Sequence, residues 1–257
     1  MNNKSKGKRL KNTIILGTIT IAIGGVLVYG FSLWIDYLNQ YDQVALYPTH
    51  LGDQEYYKIE SETILVALDR GETEVFTKLN ATPETPLFAK PVAWYQSDYL
   101  KVAGALHKFV WKESVETWSL YYMGFNTLCK DNFGGFDWGN VSYFKADSKM
   151  DRSTGYNYHG FQIIPEDGYV ISGSNQYFPY KKPGWNSVDL ENIIISAEDA
   201  LRIADENGGQ TARMSVQNQC SITVGLLRDF DWKVLMYKDG DSLLFSMEID
   251  PYTGKIK

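Results

Sequence analysis

Beyond residue 92 the apolar positions fall into two periods, and these divide the chain into elements. Tyr99, Val102, Ala103, Leu106 and Val110 recur at i, i+3 and i+4, the buried face of a helix that Ser97 caps and that runs to about Lys112. Four strand-like stretches follow: Thr117 to Leu128, Phe136 to Lys145, Tyr156 to Ile164 and Tyr169 to Phe178. Pro165-Glu-Asp-Gly168 predicts the turn between the last two, because Pro presets φ and Gly is free to take a positive one. The same order then begins again. Ser196 is placed as an N-cap, Glu198 and Asp199 fall in the first turn, Ala197, Ala200, Leu201 and Ala204 form one apolar stripe, and Gly208-Gly209 ends the helix. Met214/Val216 with Ile222/Val224/Leu226, then Trp232/Val234/Met236, then Phe245/Met247/Ile249 alternate as strands, with Lys238-Asp-Gly-Asp241 as a hairpin turn.

The N-terminal third has a different grain. Lys4, Lys6, Lys8, Arg9 and Lys11 precede an uncharged run from Thr13 to Ile35. Those 23 residues would make a helix roughly 35 Å long, enough to cross a hydrocarbon core of about 30 Å. The run is longer than the apolar core of a cleaved signal peptide and ends without an A-x-A pattern, which favours an uncleaved anchor. The basic flank predicts an N-terminus in the cytoplasm and everything after Asp36 outside the plasma membrane. Thr63 to Leu68 and Thr73 to Leu79 flank Asp69-Arg-Gly71 as a predicted hairpin, and the three prolines between Asn80 and Pro91 read as a stiff connector.

The expected fold class is α+β: an N-terminal transmembrane helix followed by modules that each lay a helix on an antiparallel sheet. The predicted divisions are a basic tail at 1–12, the membrane helix at 13–35, stalk, hairpin and connector at 36–91, an aromatic-rich module at 92–185 and a last module at 190–257. That last module resembles a PepSY domain. The resemblance rests on Ile195-Ser-Ala-Glu-Asp-Ala-Leu-Arg-Ile-Ala204, on Trp232-Lys-Val234, and on Met247-Glu-Ile-Asp-Pro-Tyr-Thr-Gly-Lys-Ile256. It implies a small non-catalytic module of secreted peptidase propeptides and bacterial envelope proteins, with regulation or inhibition of an envelope peptidase as its proposed role. Residues 87–185 carry no such resemblance.

Charge changes the choice of partners. The chain has a net charge of −6, and setting aside the five basic residues of the first 35 leaves 20 basic against 31 acidic, or −11. Such a surface repels nucleic acid and anionic lipid, so neither is an expected partner of the external part.

Candidate chemistry is sparse. Cys129 and Cys220 are the two cysteines. On the outer side they form either a disulfide, closing a loop of about 90 residues and contributing roughly 4 kcal/mol, or two buried thiols. His50, His107 and His159 lie far apart, without H-E-x-x-H or zinc spacing, and His107 reads as a packed residue beside the helix stripe. No G-x-S-x-G elbow presents Ser174, and no phosphate-binding loop occurs. Asp131, Asp137 and Asn140 could offer oxygens to Ca²⁺, but a β-turn explains them more simply, and Glu113/Glu116 read as a solvated face. Catalytic, cofactor and metal sets are therefore not expected. Trp118, Tyr121, Tyr122 and Trp138 are the candidate recognition aromatics, for peptide or glycan, against the alternative that they are core. The expected function is a membrane-anchored, extracytoplasmic, non-enzymatic binding protein held by residues 13–35. A hydrolase assembled within residues 95–180 and a purely structural envelope protein are the alternatives.

Overall fold

Strand follows strand as neighbours in space wherever the alternating pattern is clean, and a single antiparallel sheet results. The computed structural model describes residues 54–72, 74–81, 92–130, 133–146, 156–177, 187–227, 230–239 and 242–257. In chain order the elements are β1 (Gln54–Lys58), α1 (Ile64–Asp69), β2 (Thr77–Leu79), α2 (Gln96–Trp111), β3 (Ser119–Leu128), β4 (Trp138–Ala146), β5 (Tyr156–Ile164), β6 (Tyr169–Tyr177), α3 (Ala197–Ala204), α4 (Gln210–Ser215), β7 (Ser221–Leu227), β8 (Trp232–Lys238) and β9 (Ser242–Ile249). The strands lie in the order β2-β1-β6-β5-β4-β3-β7-β8-β9.

That order corrects the expected fold class. Residues 92–185 and 190–257 do not build separate helix-plus-sheet modules, the last of them an independent PepSY-like one, because β3 pairs with β7 from Tyr122↔Leu227 to Leu128↔Ser221. Two separate sheets would each expose a row of unpaired N–H and C=O groups at that edge, and joining them satisfies both rows. The membrane helix expected over 13–35 lies outside the described residues. Among the described residues no helix is long and apolar enough to cross a membrane, and where a membrane helix followed by helix-plus-sheet modules was expected, the architecture they show is one sheet with short helices.

Local chemistry explains most element ends. Ser196 Oγ accepts the Asp199 N–H at 3.1 Å while the Asp199 carboxylate accepts back from Ser196, so the residue expected as N-cap takes part in a reciprocal cap. At α2 the cap shifts to Tyr95, whose N–H donates to Asp98 Oδ2 at 3.0 Å, rather than Ser97. Gln96 and Glu198 then tie the two helix starts together: Gln96 N–H donates to Glu198 Oε1 at 2.6 Å and Ala197 N–H to Gln96 Oε1 at 2.7 Å. Each side chain satisfies an orphan donor of the other helix.

Two expectations differ. Residues 64–69 form a helix, not the first strand of a hairpin, and β1 takes the place beside β2. A short, wholly apolar run such as Ile64-Leu-Val-Ala-Leu68 has no period to distinguish the two. The second helix does stop at Asn207 and Gly208, which leave helical φ/ψ with Gly208 at φ 120°, but a further short helix, α4, follows at once, so Met214 is helical and exposed where a strand was expected.

Helices α2 and α3 bury their predicted stripes on one face of the sheet. Tyr99, Val102, Ala103 and Leu106 are fully buried, as are Ala197, Ala200 and Ala204. Val102, Leu106 and their strand partners Met123, Phe125 and Val141 form the centre of this core. Gly139 is where it is tightest: an added Cβ would stand 2.9 Å from Phe125 Cδ1 and 2.9 Å from Tyr99 Cδ1. Gly139→Ala is therefore expected to destabilise by about 1–3 kcal/mol, because two buried rings must move. Urea unfolding of the variant measures this, and an unchanged midpoint would contradict the packing described.

Candidate functional site

Two features stand out from the core, one on each face of the sheet. On the helix side, α2 carries His107 one residue past Leu106, and β5 presents His159 opposite Tyr143 of β4. His107 is fully buried and His159 is 7% exposed. His107 Nε2 lies 3.0 Å from His159 Nδ1, and His107 Nδ1 lies 3.1 Å from the main-chain oxygen of Glu113. A carbonyl oxygen can only accept, so His107 carries its proton on Nδ1 and leaves Nε2 as an acceptor. His159 must then donate from Nδ1. Its Nε2 is left as a lone pair.

Aromatic rings enclose the pair. Trp111 stacks on His159 at 3.6 Å and 12°, Trp118 stacks on it at 4.0 Å and 26°, and two rings that close must cover opposite faces of the imidazole. Tyr143 and Phe161 meet His107 edge-on. At the rim, the Glu113 carboxylate accepts from Trp118 Nε1 at 3.0 Å and pairs with Lys145 Nζ at 3.1 Å, and these bonds hold it below the usual carboxylate range.

Burial disfavours the imidazolium form of both histidines. His107 is shifted downward by burial, and His159 is pushed down to about 3, first by burial and then by the neighbouring His107 ring. Both rings are neutral at pH 7. No serine, threonine or cysteine among the described residues is bonded to His159 Nε2, and the only carboxylate nearby orients Trp118 instead of an imidazole. The arrangement can pass or accept a proton but lacks the nucleophile that a hydrolytic dyad needs.

The opposite face carries three of the four recognition candidates. Tyr121 meets Phe144 and Tyr158, each at 5.8 Å, and Tyr122 lies across Gly124 and Gly225 so closely that a Cβ on Gly124 would fall 1.9 Å from its hydroxyl oxygen. Consecutive tyrosines share this face because the pairing of β3 with β4 slips between Leu120 and Tyr122, a bulge that turns one extra side chain over. Trp138, half-buried, pairs with Asn126 on the same face. Trp118 is not with them; it belongs to the histidine cluster. The four therefore do not line one groove.

Other predicted residues fall as follows. Cys129 and Cys220 are joined, with Cα atoms 5.2 Å apart, and Cys129 N–H donates to Cys220 O at 2.9 Å, extending the β3/β7 pairing. Asp137 accepts from Leu128 N–H at 3.0 Å and from Lys130 Nζ at 3.3 Å, while Asn140 stands in β4 opposite Gln162. Asp131 and His50 lie outside the described residues. Among the described residues no group of three His, Cys, Asp or Glu side chains is placed to hold a metal ion. Sequence reasoning missed His159 and Trp111. His159 shares the parity of Phe161 and Ile163 on β5, and His107 adjoins the α2 stripe, so both lie on faces predicted to be buried. That was the available signal.

Comparison with models of known protein families, with curated proteins and with solved structures returned no match to this chain.

Proposed function

We propose that this chain is an extracytoplasmic, non-enzymatic binding protein, tethered to the membrane through residues 13–35, that recognises a protein partner with the sheet face opposite α2 and α3. The observation that carries the reading is the composition of that face. Half-buried Tyr122, Trp138, Phe144 and Tyr158 are interleaved there with the half-buried amides of Asn126, Asn140 and Gln162. Aromatic rings with amide neighbours are the composition of protein interfaces, where the rings supply contact area and the amides direct it. The disulfide supports an address outside the cytoplasm, since such bonds persist in oxidising compartments.

Partner capture tests the proposal. The full chain, solubilised from native membranes, is expected to retain a specific protein, with an envelope peptidase the first to assay, whose activity should change on binding. Asn140→Lys with Gln162→Lys is expected to weaken capture at least tenfold while near-ultraviolet circular dichroism is unchanged, because two cations enter the middle of the contact. Equal capture by a folded variant, or no specific protein with the natural chain, would refute this face as the recognition surface. The hydrolase alternative gains one observation, the perturbed histidines within residues 95–180, and loses another, the missing nucleophile. Hydrolysis that disappears with His159→Asn would revive it.

A further inference from the structure

The histidine pair joins two elements, α2 and β5, through a buried polar contact. His107 lies in the penultimate turn of α2 and His159 in the middle of β5, and their single N–H···N bond is made between buried rings. Such a bond exists only while one ring donates and the other accepts. Once His107 gains a second proton, Nε2–H faces Nδ1–H across 3.0 Å, and the bond becomes a repulsion between two donors. We propose that the His107–His159 pair is an acid-released latch, which holds the C-terminal turn of α2 and Trp111 against β5 at neutral pH and frees them when the compartment acidifies.

Among the described residues the carboxylate that acts on the pair, that of Glu113, is outweighed by burial and already engaged elsewhere. Glu113, on the loop after α2, offers the pair its main-chain oxygen, and its carboxylate is committed to Trp118 and to Lys145 of β4. Lys145 is itself a cation facing the site. Tyr143, also of β4, is neutral because burial raises its hydroxyl above the usual range. β6 places Ser174 opposite His159, β3 contributes Leu120, and Trp118 stands immediately before β3. On α2 itself Lys108 and Lys112 are exposed, with Lys112 turned over the Phe109 ring. A proton at His107 Nε2 therefore meets the Nδ1–H of His159, the Lys145 cation, neutral rings and a Glu113 carboxylate already shared between Trp118 and Lys145, so the cheaper response is for the latch to open.

The sign follows from the direction of both shifts. Each histidine takes up its proton less readily in the folded state than at the ordinary value of about 6.5, so the closed form is fully favoured above that pH and loses ground as pH falls. The opening constant should rise up to about tenfold per pH unit for each histidine that must charge. The inference is independent of the binding reading, since it concerns the isolated chain.

The test is a pH titration of the full chain in detergent from pH 8 to pH 4. Long-range 1H–15N spectra should assign both rings as neutral Nδ1–H tautomers at pH 7.5. Below 6.5, indole emission should shift reversibly to the red as Trp111 and Trp118 meet water. His159→Asn and His107→Asn keep a donor where each Nδ1–H stood but cannot be charged, and each is expected to move the midpoint down by at least one pH unit. A cationic resonance from either ring in the folded chain at pH 6.5, no emission change above pH 4, or an unaltered midpoint in both variants would overturn the latch. If the variants do not fold, the tautomer and titration of the natural chain decide by themselves.

Discussion

Converting Cys129 and Cys220 to alanine is expected to cost about 4–5 kcal/mol, the largest single effect available in this fold. The bond spans a sequence separation of 91 residues, and in the chain-entropy account closing a loop of that length removes about 4.6 kcal/mol of freedom from the unfolded chain. Its position adds to the consequence. The bridge sits at the end of the β3/β7 ladder, where the N-terminal and C-terminal halves of the sheet are joined, just beyond the Leu128↔Ser221 pair. A domain is stable by only about 5–15 kcal/mol, so this loss would take a third or more of the total. Urea unfolding with and without reductant, followed by tryptophan emission, measures it. A midpoint indifferent to reductant would mean that strand pairing and core packing hold the halves together unaided.

The second large effect is expected at Arg213. Its guanidinium is 3% exposed, forks onto Asp205 with Nε–Oδ1 at 2.8 Å and Nη2–Oδ2 at 3.2 Å, and donates from Nη1 to Asn218 Oδ1 at 3.0 Å. The second contact matters because Gln217 and Asn218 both take positive φ, at 55° and 60°, in the reversal that leads from α4 to Cys220 and β7. One side chain thus neutralises the carboxylate of Asp205 just after α3 and fixes the positive-φ reversal at Gln217 and Asn218 that follows it in the chain. Arg213→Ala is expected to cost about 3–5 kcal/mol, the usual consequence of stranding one partner of a buried pair, toward the lower end because Asp205 keeps some contact with water. Arg213→Lys should recover little, since an ammonium cannot bond both carboxylate oxygens and Asn218 in one plane. Arg213→Met combined with Asp205→Leu should recover much of the loss, and a double variant no more stable than Arg213→Ala would assign the effect to the Asn218 reversal instead of the ion pair.

Both effects depend on residues whose partners are distant in sequence, and the same distinction divides what was legible in the chain from what was not. Periodicity located β5 to the residue, placed β3, β4, β6, β8 and β9 within two or three, and identified the Ser196 cap with its apolar stripe, because each of these rests on contacts within a few positions. It misread residues 64–69 and 210–216, where a short apolar run or a glycine pair fits more than one local conformation and packing decides. It also divided the sheet in two, since pairing of β3 with β7 is a contact across about a hundred residues that no local pattern announces.

The candidate site shows the division most sharply. The sequence by itself determined that His107 adjoins a buried helix face, that aromatics crowd the stretch from Trp118 to Tyr122, and that Cys129 and Cys220 are the two cysteines that could pair. Only the tertiary structure decided that the two histidines share one proton between two indoles, that a bulge places Tyr121 beside Tyr122 and away from Trp118, and that the cysteines meet. The physical reason is range. A side chain's inward or outward direction is set by the helix or strand that carries it, whereas its partner is set by register, bulges and the crossing of elements far apart in the chain.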